Sequence, residues 1–455
     1  MTNPDAAPIA GENTATITRL NDEYERQPSV EVANQLGIAY FNDDNPGAAV
    51  EWFSRAMELL QAYLPNPDLA NSAQQLMQNL AQAAERAEQP DVAMMAYRRM
   101  LALAPEHRAA RQQLNRLADG RLGQCMLEIE SLADNFTVYH RRPVHAAGYW
   151  LRADAMPSES IAIVLQGPLL DYQDFTLETV RLYRTIFPFA AVIVSTWDDT
   201  PPGAISTLQA AGAQTVLSPK PAFAGFKNVN LQLHSTMAGL KLAHGNHCRY
   251  VLKSRTDYRI YNPRFFLDAL DLVETFPLPP HAAALQQHRL LTFSDLNRYA
   301  IYAIYDRNMF GTVDDMLAYW NAPHDMRPDP ERLDSLRDIA RFGAAETYML
   351  TRFMARLGRP LQWNLADHWQ ILRDHFVVMD QAAADFYWCK YERFRAISRY
   401  LQYEYNSNIQ PFGFADWLRL YHGKRIAIAD DRIIDRPHAA LIDDLLAEAK
   451  NAEQP

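Results

Sequence analysis

The sequence predicts a multidomain α plus α/β protein: a helical repeat module over residues 13–140, a linker over 141–159, a Rossmann-like α/β domain over 160–391 and a helical C-terminal tail over 392–455. Three observations carry this reading. A weak internal repeat with helical spacing lies near the N-terminus, and an internal repeat decides the fold of its segment. After Ser160, short β-rich apolar runs alternate with amphipathic helical stretches, the order expected of a wound sheet. The length of 455 residues leaves room for two or three domains at roughly 150 residues each.

Leu36, Gly37, Tyr40, Ala49, Phe53 and Ala56 follow the internal spacing of a tetratricopeptide repeat. The same frame on the next helical pair gives Leu80, Ala81, Ala84, Ala93, Tyr97 and Pro105, with Pro46 and Pro90 at equivalent turns. Small residues (Gly37, Ala49, Ala81, Ala93) let two helices approach closely, while Tyr40, Phe53 and Tyr97 fill the groove between pairs. Two repeats need closed ends, so residues 16–27 and 106–133 are expected to form flanking helices. An ordinary helical bundle without repeat character is the alternative. Acidic side chains outnumber basic ones here, so a partner of this TPR-like module is expected to be a neutral or basic protein.

In the second part, residues 161–165, 191–194 and 250–252 are continuous apolar runs, as expected of strands buried on both faces. Between the first two, Thr176, Val180, Tyr183 and Phe187 share one helix face, and Pro188 ends that helix. Val229, Leu233, Met237 and Leu240 form a similar stripe before the third run. The order reads as a doubly wound sheet with right-handed crossovers.

Composition excludes several functions. The formal charge of −10 opposes bulk attraction to nucleic acid or anionic lipid. No run approaches the roughly 18 apolar residues of a membrane span, and the first fifteen residues lack a basic start and an apolar core. The expectation is a cytoplasmic protein, at most peripheral at the inner face of the membrane. Cys125, Cys248 and Cys389 are far apart with no CxxC spacing, which reads as reduced packing residues. Only seven of the 44 basic residues are lysines, yet Lys220, Lys227, Lys241 and Lys253 fall within one short stretch.

Ligands of such sheets bind beyond the carboxyl ends of the strands. There the first strand runs into Gln166-Gly167-Pro168, the second into Ser195-Thr196-Trp197-Asp198-Asp199 and the third into Lys253-Ser254-Arg255-Thr256-Asp257. They supply an amide, a glycine for close backbone approach, an aromatic for stacking, a carboxylate for a ribose, two cations for phosphate and a carboxylate for a metal. A nucleotide would use all of these. The dinucleotide GxGxxG, the P-loop GxxxxGK[ST], HExxH and GxSxG are absent. Among common nucleotide users on such sheets, glycosyltransferases with sugar-nucleotide donors remain.

Gln166-Gly167-Pro168, Ser195-Thr196-Trp197, Asn228-Val229-Asn230-Leu231-Gln232 leading into Ser235-Thr236 and Gly239-Leu240, and the stretch from Lys253 to Arg259 resemble the WavE-type lipopolysaccharide synthesis family. Asp306 with Phe310-Gly311, Ala345-Glu346-Thr347-Tyr348 and Lys390-Tyr391 continue the resemblance in order. It implies a GT-A-like fold and sugar transfer from a nucleotide donor to a cell-surface glycan, or to a protein acceptor such as flagellin recruited by the helical module. Gln166, Gly167, Trp197, Asp198 and Asn230 would hold the donor, and Lys253, Arg255 and Asp257 its phosphate.

GT-A enzymes commonly place Mg²⁺ or Mn²⁺ on the diphosphate through an Asp-x-Asp element. No Asp-x-Asp occurs in this chain, and Arg255-Thr256-Asp257 stands at the expected place. Either Asp257 binds a metal with help from elsewhere, or Arg255 and Lys253 neutralise phosphate directly. An inverting transferase also needs a carboxylate to take the acceptor's proton. Glu346 is the first candidate and Asp306 the second. His244 and His247 read as solvated loop residues. His368 beside Trp369 could complete a metal or diphosphate site, though a partly buried structural histidine is the favoured reading, and residues 318–320 and 386–388 could stack on sugars, though such clusters more often form core. The competing function is a catalytically inactive nucleotide-sugar-binding or repeat scaffold, which the missing first Asp supports.

Overall fold

A computed structural model describes residues 10–61, 70–104, 107–132, 142–149, 151–293, 296–305, 307–392, 411–426 and 434–435. The chain divides into two compact units, residues 1–141 and 142–455.

The first unit is helical: α1 (Ala10–Arg26), α2 (Val30–Asn42), α3 (Pro46–Gln61), α4 (Ala70–Arg86), α5 (Pro90–Leu103) and α6 (Arg108–Leu132). Helices α2/α3 and α4/α5 form two hairpins closed by turns that share a backbone bond and a left-handed residue. Asn45 N–H donates to the Tyr40 carbonyl (3.0 Å) and Gln89 N–H to the Ala84 carbonyl (2.8 Å). Asp44 and Glu88 both take left-handed backbone, with φ of 54° and 56°. Pro46 and Pro90 each open the following helix, where proline's fixed φ is pre-organised and its missing N–H costs nothing. The small residues sit where close approach requires them: Ala49, Ala81 and Ala93 are fully buried, and a Cβ on Gly37 would lie 2.5 Å from the Phe53 ring. Pro105, the last position of the second repeat frame, lies outside the described residues.

The second unit contains β1 (Ile161–Gln166), α7 (Phe175–Ile186), β2 (Ala191–Trp197), α8 (Pro202–Ala210), β3 (Gln214–Ser218), α9 (Val229–Gly245), β4 (Tyr250–Arg255), β5 (Tyr258–Ile260), α10 (Phe265–Thr275) and β6 (Leu290–Thr292). It continues with β7 (Leu296–Asn297), β8 (Met309–Thr312), α11 (Val313–Trp320), α12 (Leu336–Phe342), α13 (Ala345–Arg356), α14 (Leu365–His375) and β9 (Phe376–Val378). Last come β10 (Phe386–Trp388), α15 (Cys389–Glu392), β11 (Pro411–Phe412) and α16 (Phe414–Tyr421).

Seven strands form the main sheet in the order β3-β2-β1-β4-β8-β6-β9. The strands β3, β2, β1 and β4 are parallel, as expected of a wound sheet. Beyond β4 the parallel winding stops, because β8 runs antiparallel to both β4 and β6. The sheet is therefore mixed. All six residues of β1 are buried, and α9 lies so close that a Cβ on Gly239 would meet Val164 at 2.4 Å. Strand β3 has only one buried residue, the pattern of an edge strand, so its sequence carried no apolar signal.

Two boundaries differ from the sequence expectation. Residues 142–149, assigned to a linker, are tied into the α/β unit by the buried Arg259. Its guanidinium donates to the Val144 carbonyl (2.7 Å), the Phe175 carbonyl (2.9 Å), Thr179 Oγ1 (2.9 Å) and Tyr261 Oη (3.0 Å). A guanidinium buried without a carboxylate needs this number of acceptors to offset its desolvation. The tail is likewise partly core: Trp417 is fully buried, and its indole N–H donates to the Phe376 carbonyl (2.8 Å). Packing supplied by distant segments is invisible to local periodicity.

Gly37→Val should destabilise the helical unit by about 1–3 kcal/mol, the usual cost of overpacking. Circular-dichroism melting of the full chain checks this through a lowered helical transition, and an unchanged melt would refute the close approach of α2 and α3.

Candidate functional site

In the order β3-β2-β1-β4, successive connections run outward from β1 on one side and then return to its other side at β4. The direction of winding thus reverses between β1 and β4, and the crevice at their carboxyl ends is the topological switch point where such sheets bind ligands. Register places Gln166 of β1 beside Ser195 of β2 and Arg255 of β4. Three sequence-distant strand ends therefore meet at one edge.

Gln166 is buried, its side-chain oxygen accepting from Ser235 Oγ at 2.8 Å. Gly167 follows with φ +114°, a conformation that a side chain would strain, and its N–H donates to the Ser195 carbonyl at 3.0 Å. Thr256 clips this turn to the end of β4: its N–H donates to the Gln166 carbonyl (3.2 Å) and its hydroxyl to the Pro168 carbonyl (2.5 Å). The backbone at Gly167 is thus fixed, and it is buried beside Thr256.

Arg255 and Asp257 form a two-pronged ion pair, Nε to Oδ1 at 2.8 Å and Nη2 to Oδ2 at 3.0 Å. The Trp388 indole N–H adds a third bond to Asp257 Oδ2 at 3.1 Å. Trp388 reaches it because β10 pairs antiparallel with β5, setting Trp388 opposite Tyr258. Phe386, Tyr258 and Trp388 stack in sequence with centroid separations of 4.7 and 4.9 Å, and burial pushes the Tyr258 phenol well above its ordinary pKa. The half-buried Arg307 lies with its guanidinium carbon 5.1 Å from the Trp388 ring centroid and 4.6 Å from that of Tyr305.

The other expected residues lie as follows. Lys253 is fully buried with Nζ 4.8 Å from the Trp320 ring centroid, and is not a surface cation. Trp197 is only 5% exposed, leaving little ring for a base to stack upon, whereas Asp198 is exposed and Asp199 pairs with Lys220. Asn230, expected on the donor, instead ties two loops: its amide donates to the Phe223 carbonyl (3.1 Å) and the Asp325 carbonyl (2.8 Å) and accepts from Asp325 N–H (2.6 Å). Its hydrogen-bonding capacity is spent on packing the N-terminus of α9. Glu346 is half-buried in the first turn of α13, a helix that packs on α9 and α11. Asp306 lies outside the described residues.

His368 belongs to the core. Its Nδ1 accepts from the Tyr302 N–H at 3.0 Å, and burial drives its pKa from the ordinary 6.5 to about 3. Neighbouring Asp367 is held by Arg359 Nη2 (2.7 Å) and Tyr302 Oη (2.6 Å). Tyr319 and Trp320 are also core residues. His244 and His247 line an open cavity of about 380 Å³ with Arg249, His288 and Asp314, beside the amino end of β4 and thus away from the switch point. Sequence reading missed Arg307 and the partnership of Trp388 with Asp257, because neither follows a predicted strand and the latter spans 131 residues.

The profile of the family described as WavE lipopolysaccharide synthesis matches residues 161–353. That span contains Gln166, Gly167, Arg255, Asp257 and Glu346, while Trp388 lies beyond it. No curated protein matches. Among solved structures, a mutant O-GlcNAc transferase of Thermobaculum terrenum aligns at 16% identity over 50% of this chain and 41% of that one, with a TM-score of 0.19. The chain thus spans less than half of that protein.

The neutral His368 has a stability signature. Its folded pKa lies below the unfolded value, so the unfolded chain binds the proton first. The stabilisation is present above pH 6.5 and is lost as pH falls toward 3, at a slope of about 1.4 kcal/mol per pH unit. Denaturant unfolding of wild type and His368→Gln across this window should show a shallower acid loss in the variant, and parallel curves would exclude a buried neutral His368.

Proposed function

We propose that this protein is a glycosyltransferase that moves a sugar from a nucleotide-activated donor to a cell-surface glycan, with the donor seated in the β1/β4 crevice. The observation that carries this is the meeting of Gly167, Gln166, Arg255 and Asp257 at the switch point of the sheet, within the stretch that matches the WavE lipopolysaccharide synthesis family. Asp198 offers an exposed carboxylate to the ribose of the nucleotide. The strand order, with one antiparallel strand inserted after four parallel ones, suits a GT-A-like reading.

In the proposed reaction, an acceptor oxygen forms a bond to the anomeric carbon while the bond from that carbon to the donor phosphate breaks. The phosphate leaves with the electron pair, and Glu346 takes the acceptor's proton. Stabilising charge on the departing phosphate would supply the largest part of the rate enhancement. The paired helical hairpins support a tetratricopeptide-like role in docking a protein, either an acceptor such as flagellin or a partner in glycan assembly.

Donor hydrolysis by the purified chain tests this reading with UDP-, GDP-, dTDP- and CMP-linked sugars. Release of nucleotide from one donor class is expected, and no release from any would favour a scaffold. Glu346→Gln should lower transfer by roughly 10²–10⁴-fold with donor binding retained, whereas a fully active, normally folded variant would remove Glu346 from the mechanism.

A further inference from the structure

Asp257 occupies the place where a transferase of this kind would hold its metal, yet its surroundings do not suit one. A carboxylate offers about four lone-pair positions. Here Arg255 Nε, Arg255 Nη2 and Trp388 Nε1 take three of them at 2.8, 3.0 and 3.1 Å, and the residue is only 6% exposed. A dication on either oxygen would be pressed against donor N–H groups of a guanidinium. Among the described residues, no group of three or more His, Cys, Asp or Glu side chains is placed to hold a metal ion. The residues present do not fit Mg²⁺ or Mn²⁺.

They do fit an oxyanion. Arg255 stands at the carboxyl end of β4, beside Gln166 at the switch point, with its guanidinium carbon 5.5 Å from the Tyr258 ring centroid and 5.9 Å from that of Trp388. Arg307 approaches the same Trp388 ring at 5.1 Å. The aromatic wall beneath both is rigid, since Trp388 stacks on the fully buried Tyr258 and Tyr258 on Phe386. Arg255, which spends Nε and an Nη2 donor on Asp257, and Arg307 bring two half-buried guanidiniums to one indole, and a diphosphate offers oxygens to both. Partial burial strengthens that attraction relative to bulk water.

Building on the nucleotide-sugar reading above, we infer that Arg255 and Arg307 hold the donor's diphosphate over the Trp388 ring without a divalent metal, and that Asp257 is the positioning residue that aims Arg255. The pairing answers a question raised by the sequence: an arginine replaces the first carboxylate of the usual motif, and the remaining carboxylate orients it.

Titration calorimetry of the full chain with UDP, GDP and dTDP, in EDTA and again with Mn²⁺, tests this directly. One diphosphate should bind with affinities that agree within about threefold between the two conditions. Arg255→Gln and Arg307→Gln should each weaken that binding by roughly 10- to 100-fold. Asp257→Asn keeps an acceptor but loses the charge; it should weaken metal-free binding, whereas loss of a mere metal ligand would leave metal-free binding unchanged. Binding that requires Mn²⁺ would overturn the inference, as would undiminished binding by a folded Arg307→Gln. No binding of any diphosphate in either condition would also overturn it, and only the further failure to hydrolyse any donor, CMP-linked sugars included, would overturn the nucleotide-sugar reading itself.

Discussion

The register of β1 between β2 and β4 is the constraint on which the rest of the site depends. A slip of one residue in a strand turns its side chains to the opposite face. With Gln166 level with Ser195 on one side and Arg255 on the other, the turn at Gly167 opens between two strand ends and is clipped to Thr256. That register is enforced by burial on both faces, because every residue of β1 is enclosed and Gly239 lets α9 press against Val164. The edge chemistry is thus specified by core packing.

A second, smaller pairing completes the edge. Strands β5 and β10 bring Trp388 to Asp257, and Arg259 in the middle of β5 gathers carbonyls from residues 142–149 and α7. The aromatic stack, the guanidinium pair and the docked entry segment therefore share one support. Disturbing Arg259 would strand several buried acceptors at once, which makes it a structural partner of the site and not a member of it.

Much of this was legible in the sequence, for identifiable reasons. Strands β1, β2 and β4 announced themselves because strands covered on both faces are continuous apolar runs, and the polar residues ending them fell at the edge where ligands bind. Gly37 and the prolines at 46 and 90 marked close helix approach and turn positions that the hairpins display. The antiparallel β8 was not legible, since strand direction depends on partners. Nor was the engagement of Asp257, because one of its three donors arrives from β10, nor the use of Asn230 to tie loops, because an amide at a helix start serves packing or ligand equally well. Trp197 followed the right strand yet turned into the interior.

The central claim is that the β1/β4 crevice is the donor site. A crystal structure of the chain with a nucleoside diphosphate tests it most directly. The account predicts phosphate oxygens within hydrogen-bonding distance of the Arg255 and Arg307 guanidiniums, with the nucleotide against the Gly167 turn. A diphosphate seated elsewhere, such as the cavity beside His244 and Arg249 at the opposite edge, would contradict it.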